Sequence, residues 1–205
     1  MGKTFNLTQE PFEKGQKMFK NGIVTINPGV TILVGCNGAG KTTMLRQIEA
    51  QLKESGDPYI SFDNRHEGGS DAMSRYGFYQ QFEELATMFC SSEGEQIMVV
   101  LGEYARKIGN LARTNRESDI FILLDAVDSG FSIDNIDELK RLLFKTVIED
   151  HPKDVYIICT ANSYEMARGE NCIDVMSCDE IRFADYEKYR NFVIKTKKQK
   201  EKRGK

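Results

Sequence analysis

The segment GCNGAGKT, residues 35–42, has the residue types and spacing of a phosphate-binding loop. It matches the pattern G-x-x-x-x-G-K-[ST] at every fixed position. Glycines allow backbone N–H groups to point at phosphate oxygens, the lysine adds a positive charge, and the threonine hydroxyl can bind Mg²⁺. A predicted strand, Val30–Val34, precedes the segment, and a helix predicted from about Thr42 to Leu52 follows it, which is the context that such a loop requires. The residues expected to bind phosphate are Gly35, Asn37, Gly38, Ala39, Gly40, Lys41, Thr42 and Thr43.

A carboxylate stands at the end of another predicted strand. Ile120–Leu124 is an uninterrupted apolar run, and Asp125 follows it directly. Ligands of α/β sheets gather at the carboxyl ends of strands, so Asp125 is a candidate site residue, and the Thr42 hydroxyl of the phosphate loop is an expected ligand of Mg²⁺. The alternative is that Asp125 caps the helix that follows.

The segment Ser92-Glu93-Gly94-Glu95 opens a long predicted helix that ends at about Ala112. A hydroxyl, a glycine that permits close approach and a helix N-terminus can together bind a phosphate. We therefore include Ser92, Gly94 and Glu95 among the expected nucleotide-binding residues. The same spacing, with Ser92 three residues before Glu95, also fits an ordinary capping box.

The elements that must position these side chains predict one α/β domain. Val155–Cys159 is a bare apolar run like Ile120–Leu124, and such runs are typical of parallel strands buried on both faces. Between the two runs, apolar residues recur at helical spacing, which gives the β-α-β alternation of a mainly parallel central sheet. β-rich runs at Lys3–Leu7 and Gly22–Ile26 predict a β-rich N-terminal edge. Two further predicted elements are a strand, Tyr59–Phe62, and a helical patch, Phe82–Cys90.

Length and composition narrow the class of protein. A chain of 205 residues fits one domain, and 28 basic against 31 acidic residues give a net charge of −3, which singles out neither a nucleic acid nor a membrane. No run approaches the ~20 apolar residues of a membrane helix, and the start lacks the apolar core of a signal peptide, so we expect a cytoplasmic protein without a membrane partner. The five cysteines form no CxxC pair, which favours buried or free thiols over zinc ligands or disulfides.

The last eleven residues are strongly basic, with seven Lys or Arg residues against Glu201. The spacing of Tyr186, Tyr189 and Phe192 predicts a helix that leads into this tail. We expect the helix to pack first and to fray after about Thr196. The basic tail either contacts nucleic-acid phosphates or is a solvated terminus.

Taken together, GCNGAGKT, SSEGEQ, FILLDAVDSG and IICTAN occur in an order that resembles the ABC-type ATPases. The resemblance is to the compact heads of the SMC-like and OLD-like branch and to small ATPases of phages and defence systems, and it covers about residues 22–183. It implies a P-loop NTPase fold with ABC-ATPase-like architecture that binds ATP and Mg²⁺. Residues 1–64 and 117–184 would form the nucleotide-binding core. Residues 65–116 would form a small helical lobe that carries the signature, and residues 185–205 would form a C-terminal helix and the basic tail.

The resemblance also implies a role for each matching residue. Lys41 and Thr42 match the phosphate lysine and the Mg²⁺ hydroxyl, and Asp125 matches the aspartate that holds Mg²⁺ through water. Asp128-Ser129-Gly130 matches the loop that joins two active sites across a dimer.

The signature match implies a homodimer that forms on ATP binding. In the family, the residues matched by Ser92, Gly94 and Glu95 close over ATP held in the phosphate loop of the other subunit, so that two nucleotides are sandwiched head to tail. A glutamine that the family places after the next strand is not assigned here. The nearby candidates are Asp63, Asn64, Gln80 and Gln81.

Two positions depart from the family pattern. Ala126 stands where the family usually has the glutamate that positions the attacking water, and Asn162 stands where it usually has a histidine at the γ-phosphate. Three explanations of Ala126 stay open: an engineered change, a branch in which Asp128 or another group positions the water, or a protein that hydrolyses ATP very slowly. Asn162 with Ser163 also fits the N-cap of a short helix. The expected catalytic residues are Lys41, Asp125, Asp128 and Asn162.

The resemblance implies an ATPase whose ATP-dependent dimer controls DNA or a separately encoded effector, such as a nuclease or a toxin. The rival hypothesis is a non-hydrolysing ATP-binding sensor or scaffold, and a third is a P-loop kinase. The polar segment Arg65–Arg75 is either an effector loop or a solvated surface loop. Phe5, Phe12 or Phe19 could stack on adenine, although packing in the core is the simpler role for these rings.

Overall fold

The computed structural model describes residues 2–8, 18–63, 93–129 and 131–203. Its strands are β1 Lys3–Asn6, β2 Ile23–Ile26, β3 Gly29–Val34, β4 Tyr59–Asp63, β5 Ile120–Asp125, β6 Val155–Thr160, β7 Asn171–Asp174 and β8 Asp179–Ile181. Its helices are α1 Lys41–Ser55, α2 Glu93–Thr114, α3 Ile133–Glu138, α4 Lys145–Asp150, α5 Tyr164–Ala167 and α6 Tyr186–Arg203. A π-helical segment, Leu139–Phe144, joins α3 to α4.

The central sheet has the strand order β4-β5-β6-β3-β7-β8 in the described part of the chain. Each pairing is parallel except that of β7 with β8. All residues of β5 and β6 are buried, as expected for strands covered on both faces. Because parallel strands end at the same edge, the segments that follow β3, β5 and β6 lie near one another. The predicted α/β fold with a mainly parallel sheet is confirmed.

Separate apolar clusters cover the two faces of this sheet. On one face, α1 buries Leu45, Ile48 and Leu52, the three positions that its apolar spacing predicts. On the other face, α2 packs Tyr104 against Phe62 of β4, with ring centroids 4.0 Å apart. The sheet is therefore enclosed on both sides, and its carboxyl edge is where polar side chains can gather.

The N-terminal strands β1 and β2 form a separate two-stranded antiparallel sheet. Phe5 of β1 and Phe19 are 1% and 0% exposed and belong to the cluster around α1. Their burial agrees with the core role and leaves neither ring available to stack on adenine. Phe12 lies outside the described residues.

The C-terminal helix α6 extends to Arg203, so the prediction that it frays after about Thr196 is wrong. Two contacts with the segment after β3 hold its end. The Thr196 hydroxyl accepts a hydrogen bond from the Cys36 N–H at 3.1 Å, and Lys200 Nζ donates one to the Asn37 carbonyl at 3.0 Å. Tertiary contacts of this kind stabilise a helix end that the local sequence alone would leave solvated.

Several predictions concern residues outside the described ranges. They concern the helical patch Phe82–Cys90, the polar segment Arg65–Arg75, Ser92, Gly130, Asn64, Gln80 and Gln81. Cysteines in the described ranges are free and buried, as the spacing predicts. No helix within those ranges is long and apolar enough to cross a membrane.

Candidate functional site

The segment between β3 and α1 forms a tight loop at a helix N-terminus. The Ala39 N–H donates to the Cys36 carbonyl at 3.1 Å. Gly38 and Gly40 have φ angles of 72° and 107°, in the left-handed region that favours glycine. Gly40 is also the N-cap of α1, and the first turn of that helix carries no acidic residue. The positive end of the α1 dipole therefore faces the loop, as an anion site requires.

Lys41 is the first residue of α1, and only 9% of it is exposed. Its ammonium group donates to the Gly35 carbonyl at 2.9 Å and to the Cys36 carbonyl at 3.4 Å. These contacts hold the positive charge within the loop, where a bound phosphate would meet it. Asn37 and Gly38 are exposed at the tip of the loop.

Thr42 connects the loop to the end of β5. Its hydroxyl donates to Asp125 Oδ1 at 3.1 Å, and Asp125 is 5% exposed. Mg²⁺ prefers hard oxygen ligands, and a hydroxyl and a carboxylate oxygen at this separation can both reach one cation. Thr42 and Asp125 therefore fit the predicted metal site, in which Mg²⁺ would offset the negative charge of the phosphates. Thr43 follows in the same turn of α1 and is half-buried.

Thr160, the last residue of β6, belongs to the same cluster, and sequence reasoning missed it. The residue is 2% exposed, and its hydroxyl donates to Asp125 Oδ1. The same hydroxyl accepts a hydrogen bond from the Ala126 N–H at 2.7 Å. Thr160 therefore orients the carboxylate and anchors the start of the next turn. A polar residue ending an otherwise apolar strand was the available signal, but its meaning depends on β6 lying beside β5.

Ala126, which follows the carboxylate, has a φ of 53°. This left-handed conformation is uncommon for a residue other than glycine. Its carbonyl accepts the Ser129 N–H at 3.0 Å, so a turn follows β5 directly. A glutamate at this position would have to adopt the same backbone conformation.

Asp128 and Asn162 lie together at the carboxyl edge. Asp128 Oδ2 accepts the N–H groups of Asn162 and Ser163, at 2.8 Å and 2.6 Å. Asp128 Oδ1 is buried and has no hydrogen-bond partner in the described part of the chain. The N-cap of α5 is Ser163, whose hydroxyl accepts the Met166 N–H at 3.4 Å, and Asn162 precedes it with an exposed side chain. The capping role therefore belongs to Ser163, and Asp128 joins the turn after β5 to the segment after β6.

A cavity of about 540 Å³ lies beside the contact between the loop and α6 and is lined by residues of both. The loop side is formed by Gly35, Cys36 and Asn37, and Asn162 borders the cavity at the end of β6. Sequence reasoning assigned no residue of α6 to the site, because a lysine-rich run gives its charge but not its location. The residues that α6 contributes to the lining are Tyr189, Val193, Lys197, Lys200 and Glu201.

The predicted signature is only partly within the described ranges. Gly94 and Glu95 lie in the first turn of α2, which begins at Glu93. Ser92 lies outside the described residues, so the phosphate role of the three stays a prediction. Asp63, at the end of β4, is in register with Asp125, which places its backbone at the same edge.

Comparison with known proteins identifies the family. A search of curated proteins gives no match. The family model described as AAA domain matches residues 25–163, more than half of the chain. The matched range contains the loop between β3 and α1, the end of β5 and the end of β6. The chain therefore belongs to the AAA domain family, a family of P-loop NTPases that bind ATP.

Proposed function

We propose that this chain hydrolyses ATP slowly with Mg²⁺, and that ATP-dependent pairing of two copies controls DNA or a separately encoded effector. The observation that carries the ATPase part is the hydrogen bond of 3.1 Å between Thr42 and Asp125. It joins the phosphate loop to the end of β5, where a hydroxyl and a carboxylate can bind one Mg²⁺ beside the phosphates.

Slow hydrolysis follows from the residue after the metal-binding carboxylate. Ala126 has no group that accepts a proton from water, and loss of a positioned general base lowers rates by about 10²–10⁴-fold. Apart from Asp125 itself, Asp128 is the carboxylate nearest to Ala126 in the sequence. Two backbone N–H groups hold its Oδ2, and its Oδ1 has no hydrogen-bond partner in the described part of the chain. Because Oδ1 is buried, the turn after β5 would have to open for the attacking water to reach it. We therefore assign water positioning to Asp128.

The proposed pairing is a head-to-tail ATP sandwich, and its support is the resemblance to ABC-type ATPases. Gly94 and Glu95 stand at the beginning of α2, where a helix N-terminus can bind a phosphate. In a sandwich, this terminus would contact the nucleotide of the partner copy. A nuclease or a toxin is the kind of effector that compact heads of this type would control.

The rival is an ATP-binding sensor or scaffold that does not hydrolyse ATP. Ala126 favours it, because no carboxylate directly follows Asp125. In that case bound ATP would hold the two copies together until it dissociated.

Single-turnover phosphate release from Mg²⁺-ATP separates the two hypotheses. The ATPase should release phosphate in one turnover, and Lys41→Ala should abolish the release. Lys53→Ala, the same substitution at an exposed position of α1, is the matched control and should behave like the unchanged chain. Retention of intact ATP over hours, with no product, would favour the sensor.

Size-exclusion chromatography with and without ATP tests the pairing. ATP should shift the unchanged chain to the size of a dimer, and Lys41→Ala should stay monomeric because it lacks the phosphate lysine. A chain that binds ATP and still elutes as a monomer would contradict the sandwich.

A further inference from the structure

The contact between α6 and the phosphate loop fixes the position of the C-terminal lysines. Thr196 is 1% exposed, and its hydroxyl accepts the Cys36 N–H at 3.1 Å and donates to the Val193 carbonyl at 2.8 Å. A buried hydroxyl with both its donor and acceptor functions satisfied holds its helix in one position. α6 is therefore docked on the loop in a defined register.

This register brings two lysines to the cavity beside the loop. Lys197 and Lys200 line the cavity together with Cys36 and Asn37. Lys200 Nζ donates to the Asn37 carbonyl at 3.0 Å. A Cβ atom at Gly38 would lie 2.4 Å from Lys200 Nζ, so the ammonium group lies directly against the glycine at the tip of the loop.

The charge at this cavity is suited to an anion. α6 supplies two ammonium groups and one carboxylate, Glu201, to the lining, and Lys41 adds a buried positive charge within the loop. A neutral carbonyl is a weaker partner for an ammonium group than a phosphate oxygen, because charge-assisted hydrogen bonds are stronger. The exposed lysine side chain is flexible, so Lys200 can exchange Asn37 for a phosphate.

We propose that Lys200, together with Lys197, binds phosphate oxygens of a nucleotide held in the loop. This rests on the proposed ATP binding at the same loop, and it adds ligands that lie outside the range 25–163 matched by the family. The C-terminal helix is then part of the nucleotide site. Thr196 is a positioning residue, because it acts by docking α6.

Equilibrium binding of Mg²⁺-ATP to the full chain tests the proposal. Lys200→Ala should weaken binding about tenfold, the effect of losing one hydrogen bond to a charged group, and Lys197→Ala should also weaken it. Lys198→Ala is the matched control, since Lys198 is exposed on the same helix and does not line the cavity. It should bind ATP like the unchanged chain.

Inorganic tripolyphosphate, used as a competitor, identifies the contacted part of the nucleotide. It has phosphates and no base, so its affinity should fall in Lys200→Ala by the same factor as that of ATP. A loss seen for ATP alone would contradict phosphate contact.

A double-mutant cycle separates positioning by Thr196 from a general effect on folding. Thr196→Val removes the hydroxyl that binds the Cys36 N–H and should weaken ATP binding by displacing Lys200. Lys200→Ala added to Thr196→Val should then have little further effect, because the two residues act through one contact. Fully additive effects would show that Thr196 does not position Lys200.

Two results would overturn the proposal. Unchanged ATP affinity in both lysine variants would show that neither lysine contacts a phosphate. Tighter ATP binding by Lys200→Ala would show that Lys200 competes with the nucleotide for the loop. If the unchanged chain and Lys198→Ala fail to bind ATP, the proposed function itself is wrong. That outcome is distinct from a loss confined to Lys197 and Lys200.

Discussion

At the scale of single residues, the environment of Asp125 determines what the site can do. Two hydroxyls, from Thr42 and Thr160, donate to the same carboxylate oxygen. Thr42 would share a cation with Asp125, whereas Thr160 holds the carboxylate from the side of β6 and also binds the Ala126 N–H. The carboxylate proposed to bind Mg²⁺ is therefore oriented by Thr160, the last residue of the neighbouring strand β6.

Thr160→Val should test that orientation. Valine has a similar shape but no hydroxyl, so the Ala126 N–H loses its acceptor and Asp125 loses a donor. We expect the free energy of unfolding to fall by about 1–3 kcal/mol and the Mg²⁺ concentration needed for ATP binding to rise. Urea unfolding and Mg²⁺ titration measure the two effects.

Thr25→Val is a matched control, because Thr25 is an exposed strand residue of β2. It should change stability by no more than about 0.5 kcal/mol. An unchanged Mg²⁺ requirement in Thr160→Val would show that Asp125 is held without this hydroxyl.

Asp128→Asn should reveal whether Asp128 positions the attacking water. The amide oxygen can still accept the N–H groups of Asn162 and Ser163, so the local structure should persist while the negative charge is lost. We expect the single-turnover rate to fall about 10²-fold. If Asp128 positions the water, Ala126→Glu should change the rate little, because a second carboxylate adds nothing that Asp128 does not supply.

The exposed Asp137→Asn on α3 provides the control for loss of one carboxylate. If Ala126→Glu sharply raises turnover and Asp128→Asn does not lower it, Ala126 is a disabling residue and Asp128 has only a structural role.

At the scale of elements, α6 joins two of the segments that form the site. Thr196 binds the loop after β3, and the Tyr189 hydroxyl donates to the Asn162 carbonyl after β6 at 2.7 Å. Burial, and then the negative charge of Asp128, raises the pKa of Tyr189, so the hydroxyl stays a donor over the physiological pH range. The helix therefore acts as a brace, which means that it holds the segments after β3 and β6 together at the carboxyl edge of the sheet.

Tyr189→Phe should weaken this brace. It removes one hydrogen bond to a carbonyl and keeps the ring, so we expect stability to fall by about 1 kcal/mol. Amide hydrogen exchange in α6 should become faster. Tyr186→Phe, at a tyrosine that is 59% exposed on the same helix, should leave both measurements unchanged. Equal exchange rates in the two variants would contradict a bracing role for Tyr189.

At the scale of the whole molecule, enclosing the sheet on both faces also buries thiols. Burial raises the pKa of Cys159 and Cys178, and it raises the pKa of Cys172 to about 12. Thiols in the unfolded chain ionise near a pKa of about 8.5. The folded state therefore keeps protons that the unfolded state loses as the pH rises.

The contribution of these thiols to the free energy of unfolding should therefore be fully present below about pH 8.5. It should be lost as the pH rises from there to the raised pKa values. Urea unfolding under reducing conditions, from neutral pH to about pH 10.5, measures the slope. Cys172→Ser should reduce that slope, because serine does not ionise in this range. A flat profile would mean that these thiols ionise alike in the folded and unfolded chain.

The sequence by itself determined the features that depend on local geometry or on burial of a whole element. A phosphate loop needs only eight consecutive residues with glycines in set places, so residues 35–42 predict it, and the helix that follows is set by the spacing of Leu45 and Ile48. The apolar runs of β5 and β6 predict strands buried on both faces, and the order of elements then gives a parallel sheet.

Only the tertiary structure decided which side chains from distant segments meet. Thr160 matters because β6 pairs with β5, and nothing in its own segment specifies that neighbour. Thr196 lies 160 positions from Cys36 and Lys200 lies 163 positions from Asn37, so no local pattern could place α6 on the loop. A lysine-rich helix end has weak local preferences, and burial of Thr196 against the loop decides where its charges lie.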